Sequence, residues 1–413
     1  MRSLDDFNLM DAATQQCPYE FYRRTRAEAP LYRMPQTGFY LVTSFELCRE
    51  VMRQPDIFAS GVSPMALKPG GIAPEIIATY EKEGWLPLAS CSTSDPPRHT
   101  RVREFLDLFS VQRVREITPL IDGVVKELID GLLDRGSMEF VREFAHPMPM
   151  IVIADLIGVP RSDLPHFKRW SDAIVEPFSM MVSPQRELEC AREVVQMQHY
   201  FADLLADRAR SPRDDLLTRI AEAAKLPQFG FDLQEQLTII TIDLLASGNE
   251  TTTAALASGM LLLIRDPAPI AELRRDPRLF RNLAEEILRL ESPAQGMFRR
   301  VTQPTVLGGI NLAAGDLLNL RFGAANRDDT QFPDADRIDL HRNQPGKHLA
   351  FGIGRHHCIG AALARQELIS AFTALLARMK SFRLAGGHPP PQYHPSFFGR
   401  NLRELHIEFQ RND

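Results

Sequence analysis

Phe351 to Arg365 reads FGIGRHHCIGAALAR, with one cysteine, Cys358, among Gly352, Gly354 and Gly360. A helical run of small apolar residues follows at once. A sulfur that binds a metal needs backbone close by and donors to temper its charge. Glycine permits that approach, having no side chain and free access to positive φ. A following helix turns its N-terminal amides and positive dipole end toward the sulfur, which favours the thiolate. The pattern points to a loop that presents one thiolate to an iron; the plainer alternative is an inert buried cysteine before a helix.

These fifteen residues resemble the haem-binding loop of the cytochrome P-450 family, in which Phe351, Gly354, His356, Cys358, Gly360, Leu363, Ala364 and Arg365 all fit. The resemblance implies haem b with Cys358 as its axial thiolate. It places Phe351, Gly352 and Gly360 around the cofactor and His356 on a propionate. Thiolate ligation pushes electron density onto iron and favours O–O cleavage.

The chain has 413 residues, 44% of them hydrophobic, enough for a large core. A formal net charge of −5 gives no overall basic signal for nucleic acid or an anionic membrane. Five scattered cysteines with no metal-ligand spacing argue against a disulfide framework or a zinc site and fit a reducing compartment. The opening MRSLDDFNLM lacks a signal-peptide pattern, and the apolar run Ala254 to Ile264 is too short to span a bilayer. A cytoplasmic protein without a membrane anchor is expected, with residues 1–413 forming a single haem-binding monooxygenase domain.

A short helix is expected from Cys17 to Pro30, then strands Leu31 to Met34 and Gly38 to Thr43 about a turn at Pro35 to Thr37. Ser44 is placed to cap a helix over Phe45 to Arg53. Phe58 to Leu88 is rich in Gly and Pro and reads as a long irregular loop. Val62, Met65, Ile72, Ile76, Ile77 and Trp85 in it are candidates for the substrate pocket or for ordinary packing. Ser94-Asp95-Pro96-Pro97 opens a helix, with Ser or Asp as the cap and Pro in the first turn. His99 and Arg103, four apart, share a face of that helix. In the resembling family this helix crosses the haem propionates, and both side chains can donate to carboxylates.

Gln112 to about Arg210 is helical in period, punctuated by Pro160, Pro165 and Pro184. Phe178, Met180, Met181 and Val182 form an apolar cluster, either a lid over the substrate or helix–helix core. Phe231 to about Leu263 is the longest helical pattern, with a capping box at Asp232 and Glu235. Its length is about 45–50 Å. Gly248 and the Ser/Thr residues around it sit in its interior, where they cost stability. A helix that breaks its own rules is a site candidate. By resemblance Gly248, Glu250 and Thr251 form the oxygen-binding groove, with an acid and an alcohol that deliver protons to bound O2.

Glu286 and Arg289 are three apart on a helix over Leu279 to Leu290. The resemblance makes them a structural pair that locks to a later arginine, for which Arg337 is the candidate. Arg299 is implied as a further propionate ligand, with Arg300 the competing choice. Met297, Phe298, Phe397 and Phe398 stand as substrate-contact candidates or core. A strand over Leu405 to Phe409 closes the chain.

The fold class expected is mainly α with a small β region, a cytochrome P-450 fold with a long helix over the haem. The activity implied is monooxygenation of a small lipophilic substrate with O2. Electrons come from NAD(P)H through an external ferredoxin and ferredoxin reductase, and the protein is a monomer. Arg98, Arg101, Lys347 and Arg355 are candidates for a basic surface that steers the ferredoxin. A peroxide-driven haem-thiolate enzyme, or a haem or ligand-binding protein without catalysis, are the alternatives; the Glu250-Thr251 pair speaks against both.

Overall fold

The computed structural model describes residues 3–67, 71–107 and 110–412, the side chains of Pro64 and Met65 excepted. Met65, named above as a pocket candidate, therefore lies outside the described residues. The fold is mainly helical with small sheets, and its contacts divide it into two units.

The first unit comprises Met1–Ala59, Ser110–Met148 and Thr251–Asp413. Its five-stranded sheet runs Leu31–Arg33, Tyr40–Val42, Leu317–Leu320, Met297–Val301 and Phe58–Ala59 in spatial order. The first two strands form the expected hairpin, with Leu31 opposite Val42. The Ser44 hydroxyl accepts from the Leu47 N–H at 3.4 Å and starts the helix Phe45–Arg53. Below the sheet, Val42, Phe45, Phe58, Val301, Leu318, Leu320 and Phe332 make one apolar core, with the Phe45 and Phe332 rings edge to face at 5.6 Å. Helices Val111–Asp130 and Phe280–Leu290 both pack on Ala361–Arg378. Gly259, on the helix Ser247–Arg265, lets side chains of two of these helices come close: a Cβ there would lie 2.6 Å from Ile287 Cδ1 and 2.7 Å from Phe372 Cζ. The last strand, His406–Arg411, pairs with both Ser137–Glu139 and Met379–Leu384.

The second unit comprises Ser60–Phe109 and Pro149–Glu250. Helices Leu164–Val175 and Pro184–Arg210 pack together through Phe167 and Phe201, whose rings meet edge to face at 5.8 Å. Pro165 and Pro184 stand in the first turns of these helices, where a missing N–H costs nothing. Arg208 donates to Asp215 at 2.6 Å in a buried pair that ties Pro184–Arg210 to Leu216–Ala223.

Two expectations are corrected here. The 58–88 segment is not one irregular loop. Pro74–Glu83 is a helix opened by Pro74, with Ile76, Thr79 and Tyr80 turned inward at helical spacing. The flanking Gly and Pro residues masked that short period. Neither Ser94 nor Asp95 caps the helix Arg98–Phe105. The Asp95 carboxylate instead accepts the N–H groups of Ser60 and Gly61, at 3.2 and 2.8 Å.

The long helix runs from Leu233 to Arg265. Its capping box forms as expected, the Asp232 carboxylate accepting the Glu235 N–H at 2.8 Å. Its irregularity is a π-helical stretch over Ile239–Ala246, directly before Gly248. Thr238 and Thr241 turn their hydroxyls back onto the carbonyls of Gln234 and Leu237, and Ser247 Oγ donates to the Ile242 carbonyl five residues back at 2.8 Å. Such back-bonding widens a turn. Among the described residues, no single helix is long and apolar enough to cross a membrane.

Candidate active site

In the first unit, the Cys358 loop is closed by its own backbone. The Cys358 N–H donates to the Phe351 carbonyl at 2.8 Å, and the His357 N–H to that of Gly354 at 3.1 Å. Gly352 and Gly354 take φ of +63° and +69°, where a side chain would be strained. The eighteen-residue helix Ala361–Arg378 begins three residues after the cysteine. Cys358 is exposed, and a Cβ on Gly360 would lie 4.0 Å from its sulfur, so one flank of the thiol carries no side chain. His356 and Phe351 are half-buried in the same loop.

Glu285, which the sequence reading passed over for its neighbour Glu286, anchors this loop at both ends. It accepts from Arg365 Nε at 2.7 Å and pairs with His348 Nε2 at 2.8 Å. Arg365 also lies over the Phe351 ring, 4.5 Å from its centre. Burial pushes the Glu285 carboxyl up, but the hydrogen bonds from His348 and Arg365 outweigh it and hold the group down at about 2. Two adjacent acids on one amphipathic helix were the available signal.

Glu286 and Arg289 are fully buried and form a two-pronged pair at 2.7 and 2.9 Å. The third member is Arg342, whose Nε donates to Glu286 at 2.9 Å, and not Arg337. Arg289 spends its remaining donors on the carbonyls of Asn326, Ala335 and Arg337. The 335–337 segment therefore offers backbone, and the side chain that reaches Glu286 comes from the next turn, where the Arg342 N–H bonds the Asp339 carbonyl.

Between Arg299 and Arg300, Arg299 is the buried one at 5% exposure, while Arg300 is exposed. The Phe298 and Phe397 rings stack at 5.8 Å in the interior, and Met297 packs against the apolar core. Thr252 donates to the buried Glu367 at 3.2 Å, and desolvation pushes that carboxyl up to about 8.

In the second unit, His99 is buried and Arg103 half-buried on Arg98–Phe105. Arg98 donates to Glu235 at 2.6 Å, and Arg101 bonds the same oxygen. These two arginines are thus partly neutralised rather than free surface charges. In the first unit Arg355 is likewise paired, with Asp56 at 2.9 Å, and Lys347 donates to Gln331. Gly248 is half-buried, with Ile153 carbons 3.6 Å from where a Cβ would stand. Glu250 accepts from Ser171 Oγ at 3.3 Å and from Asn249 Nδ2 at 3.4 Å, and desolvation pushes its carboxyl up. Trp85 lies against His199, its backbone tied to the Gln198 amide, and Phe178 and Met181 are half-buried.

These residues suit a haem. A thiol with one open flank on a glycine-kinked loop suits a soft metal ligand approached from one side. A buried arginine in a strand, and a buried histidine on a helix, are donors of the kind that hold carboxylates.

A family model described as Cytochrome P450 matches residues 132–409. The chain is 37% identical over 317 residues to Cytochrome P450 107B1 of Saccharopolyspora erythraea, covering 76% of each chain. It is 31% identical over 404 residues to the cytochrome P450 monooxygenase PikC of Streptomyces venezuelae, covering 95% of this chain and 91% of that one. The solved structure of cytochrome P450 CYP109Q5 from Chondromyces apiculatus matches with a TM-score of 0.85 at 30% identity, over 99% of this chain and 100% of that one. The glycine-bounded cysteine loop, the mainly helical fold and these likenesses agree: the chain belongs to the cytochrome P450 family of haem-thiolate monooxygenases.

Proposed function

We propose that the Cys358 thiolate would hold the haem iron and that the enzyme inserts oxygen from O2 into a small lipophilic molecule, by hydroxylation or a related oxidation. Electrons come from NAD(P)H through a ferredoxin reductase and a ferredoxin. Residues 1–413 act as one monomeric monooxygenase domain in the cytoplasm. The observation that carries this reading is the loop in which Cys358 bonds the Phe351 carbonyl between left-handed glycines and the start of the helix Ala361–Arg378.

When bound, the haem supplies oxygen activation at a thiolate-ligated iron. The chain supplies the rest. Phe351, Gly352 and Gly360 would hold the loop so that the Cys358 sulfur can meet the metal. His99, Arg103, Arg299 and His356 would donate to the propionates. Gly248 keeps a side chain out of the helix groove. Glu250, whose carboxyl is pushed up by burial, would hold a proton nearer neutral pH and relay it through the hydroxyl of Thr251 into the helix groove beside Gly248. Positioned proton delivery is worth about 10²–10⁴ in rate.

The test is absorption spectroscopy of purified protein, ferric and carbon-monoxide-reduced, against a substrate panel. The Cys358→Ser variant should lose the thiolate signature while keeping its far-ultraviolet circular dichroism. Retention of that signature in the variant would remove Cys358 from the role.

A further inference from the structure

Ser171, on the helix Leu164–Val175, and Asn249, on the long helix, are both fully buried. Polar side chains in that position are costly unless they are bonded. Here they meet each other and Glu250. Asn249 Nδ2 lies 3.3 Å from Ser171 Oγ and 3.4 Å from Glu250 Oε1, and Ser171 Oγ lies 3.3 Å from the same Glu250 oxygen.

The direction of this chain follows from its groups. An amide nitrogen only donates, and an ionised carboxylate only accepts. The Ser171 oxygen therefore takes the Asn249 N–H, and its own hydrogen points at Glu250. A hydroxyl so aimed favours the ionised form of an acid. Burial pushes the Glu250 carboxyl up, and the Ser171 hydroxyl pulls against that.

The charges that also face Glu250 are largely spent on one another. Lys168 and Asp172, on the same helix as Ser171, act on Glu250 in opposite senses and are paired together. Glu176, just beyond that helix, is clamped by Arg186 at 2.7 and 2.9 Å. Partly exposed pairs of this kind are screened by solvent. Ser171 and Asn249 act at shorter range, and both lie with Glu250 in the second unit.

We infer that Ser171 is a positioning residue for proton delivery: its hydroxyl, aimed by Asn249, docks the Glu250 carboxylate against the helix Leu164–Val175 and sets how readily that group takes up and gives up a proton. A relay works best when its acid can do both near the working pH. The inference rests on the reading of Glu250 as a proton carrier and adds the residue that governs it.

The test is infrared spectroscopy of the haem-loaded ferric enzyme across pH, following the carboxylic-acid C=O band that Glu250→Gln removes. Ser171→Ala and Ser171→Cys should each move its titration midpoint upward by about half to one pH unit, a three- to tenfold change in proton affinity. Ser171→Thr, which keeps the hydroxyl, should hold the wild-type midpoint. A midpoint unmoved or lowered in both the Ser171→Ala and Ser171→Cys variants, an equal upward shift in Ser171→Thr, or the loss of no titrating band in Glu250→Gln overturns the proposal. The carbon-monoxide-reduced spectrum of the same samples separates the two claims. A thiolate spectrum with an unmoved midpoint sinks only the role of Ser171; absence of the thiolate spectrum in the wild type sinks the underlying reading.

Discussion

Glu285→Gln removes the charge that ties both ends of the cysteine loop. Glu285 is 6% exposed and held at about 2 by His348 and Arg365 against the cost of burial. At about 1.4 kcal/mol per pKa unit, the fall from an ordinary 4.5 to about 2 is worth about 3 kcal/mol. Breaking a buried pair from one side gives a similar figure, about 3–5 kcal/mol. The folded-state pKa is depressed, so this contribution is complete above about pH 4.5 and is lost as pH falls toward 2. Guanidinium unfolding of the haem-loaded variant, followed by far-ultraviolet circular dichroism, should show the full loss at pH 7 and roughly half of it at pH 3. A loss below about 1 kcal/mol at pH 7, or a penalty that grows on acidification, would refute the reasoning.

Arg342→Ala should destabilise the protein by about 1.5–3 kcal/mol by removing one charged donor from the buried Glu286, which keeps its pair with Arg289, whereas Arg337→Ala, which removes no bond to that carboxylate, should cost about 0.5 kcal/mol or less in the same assay. Arg299→Ala should speed haem transfer to an apoglobin acceptor by about tenfold, and Arg300→Ala should leave it unchanged; equal rates would remove Arg299 from the propionates. Gly259→Ala pushes a methyl group into Ile287 and Phe372 and should cost about 1–3 kcal/mol in thermal or chemical unfolding.

What the sequence by itself determined is local. The Ser44 cap, the Asp232–Glu235 box, the hairpin from Leu31 and the glycine-bounded Cys358 loop each rest on residues close together along the chain, and such patterns carry their own geometry. The Gly248 region was likewise legible as a flaw in a long helix, although the flaw takes the form of a π-turn over the residues before it. Only the tertiary structure decided which distant partners meet. Arg342 rather than Arg337 reaches Glu286 because Arg289 claims the intervening carbonyls. Glu285 gains its role from His348 and Arg365, sixty-three and eighty residues away. Asp95 leaves its helix to serve Ser60 and Gly61, and Asp243 takes the Cys91 N–H from a segment one hundred and fifty-two residues away. Charge pairing over such separations depends on where packed elements bring side chains, and no spacing along the chain encodes that.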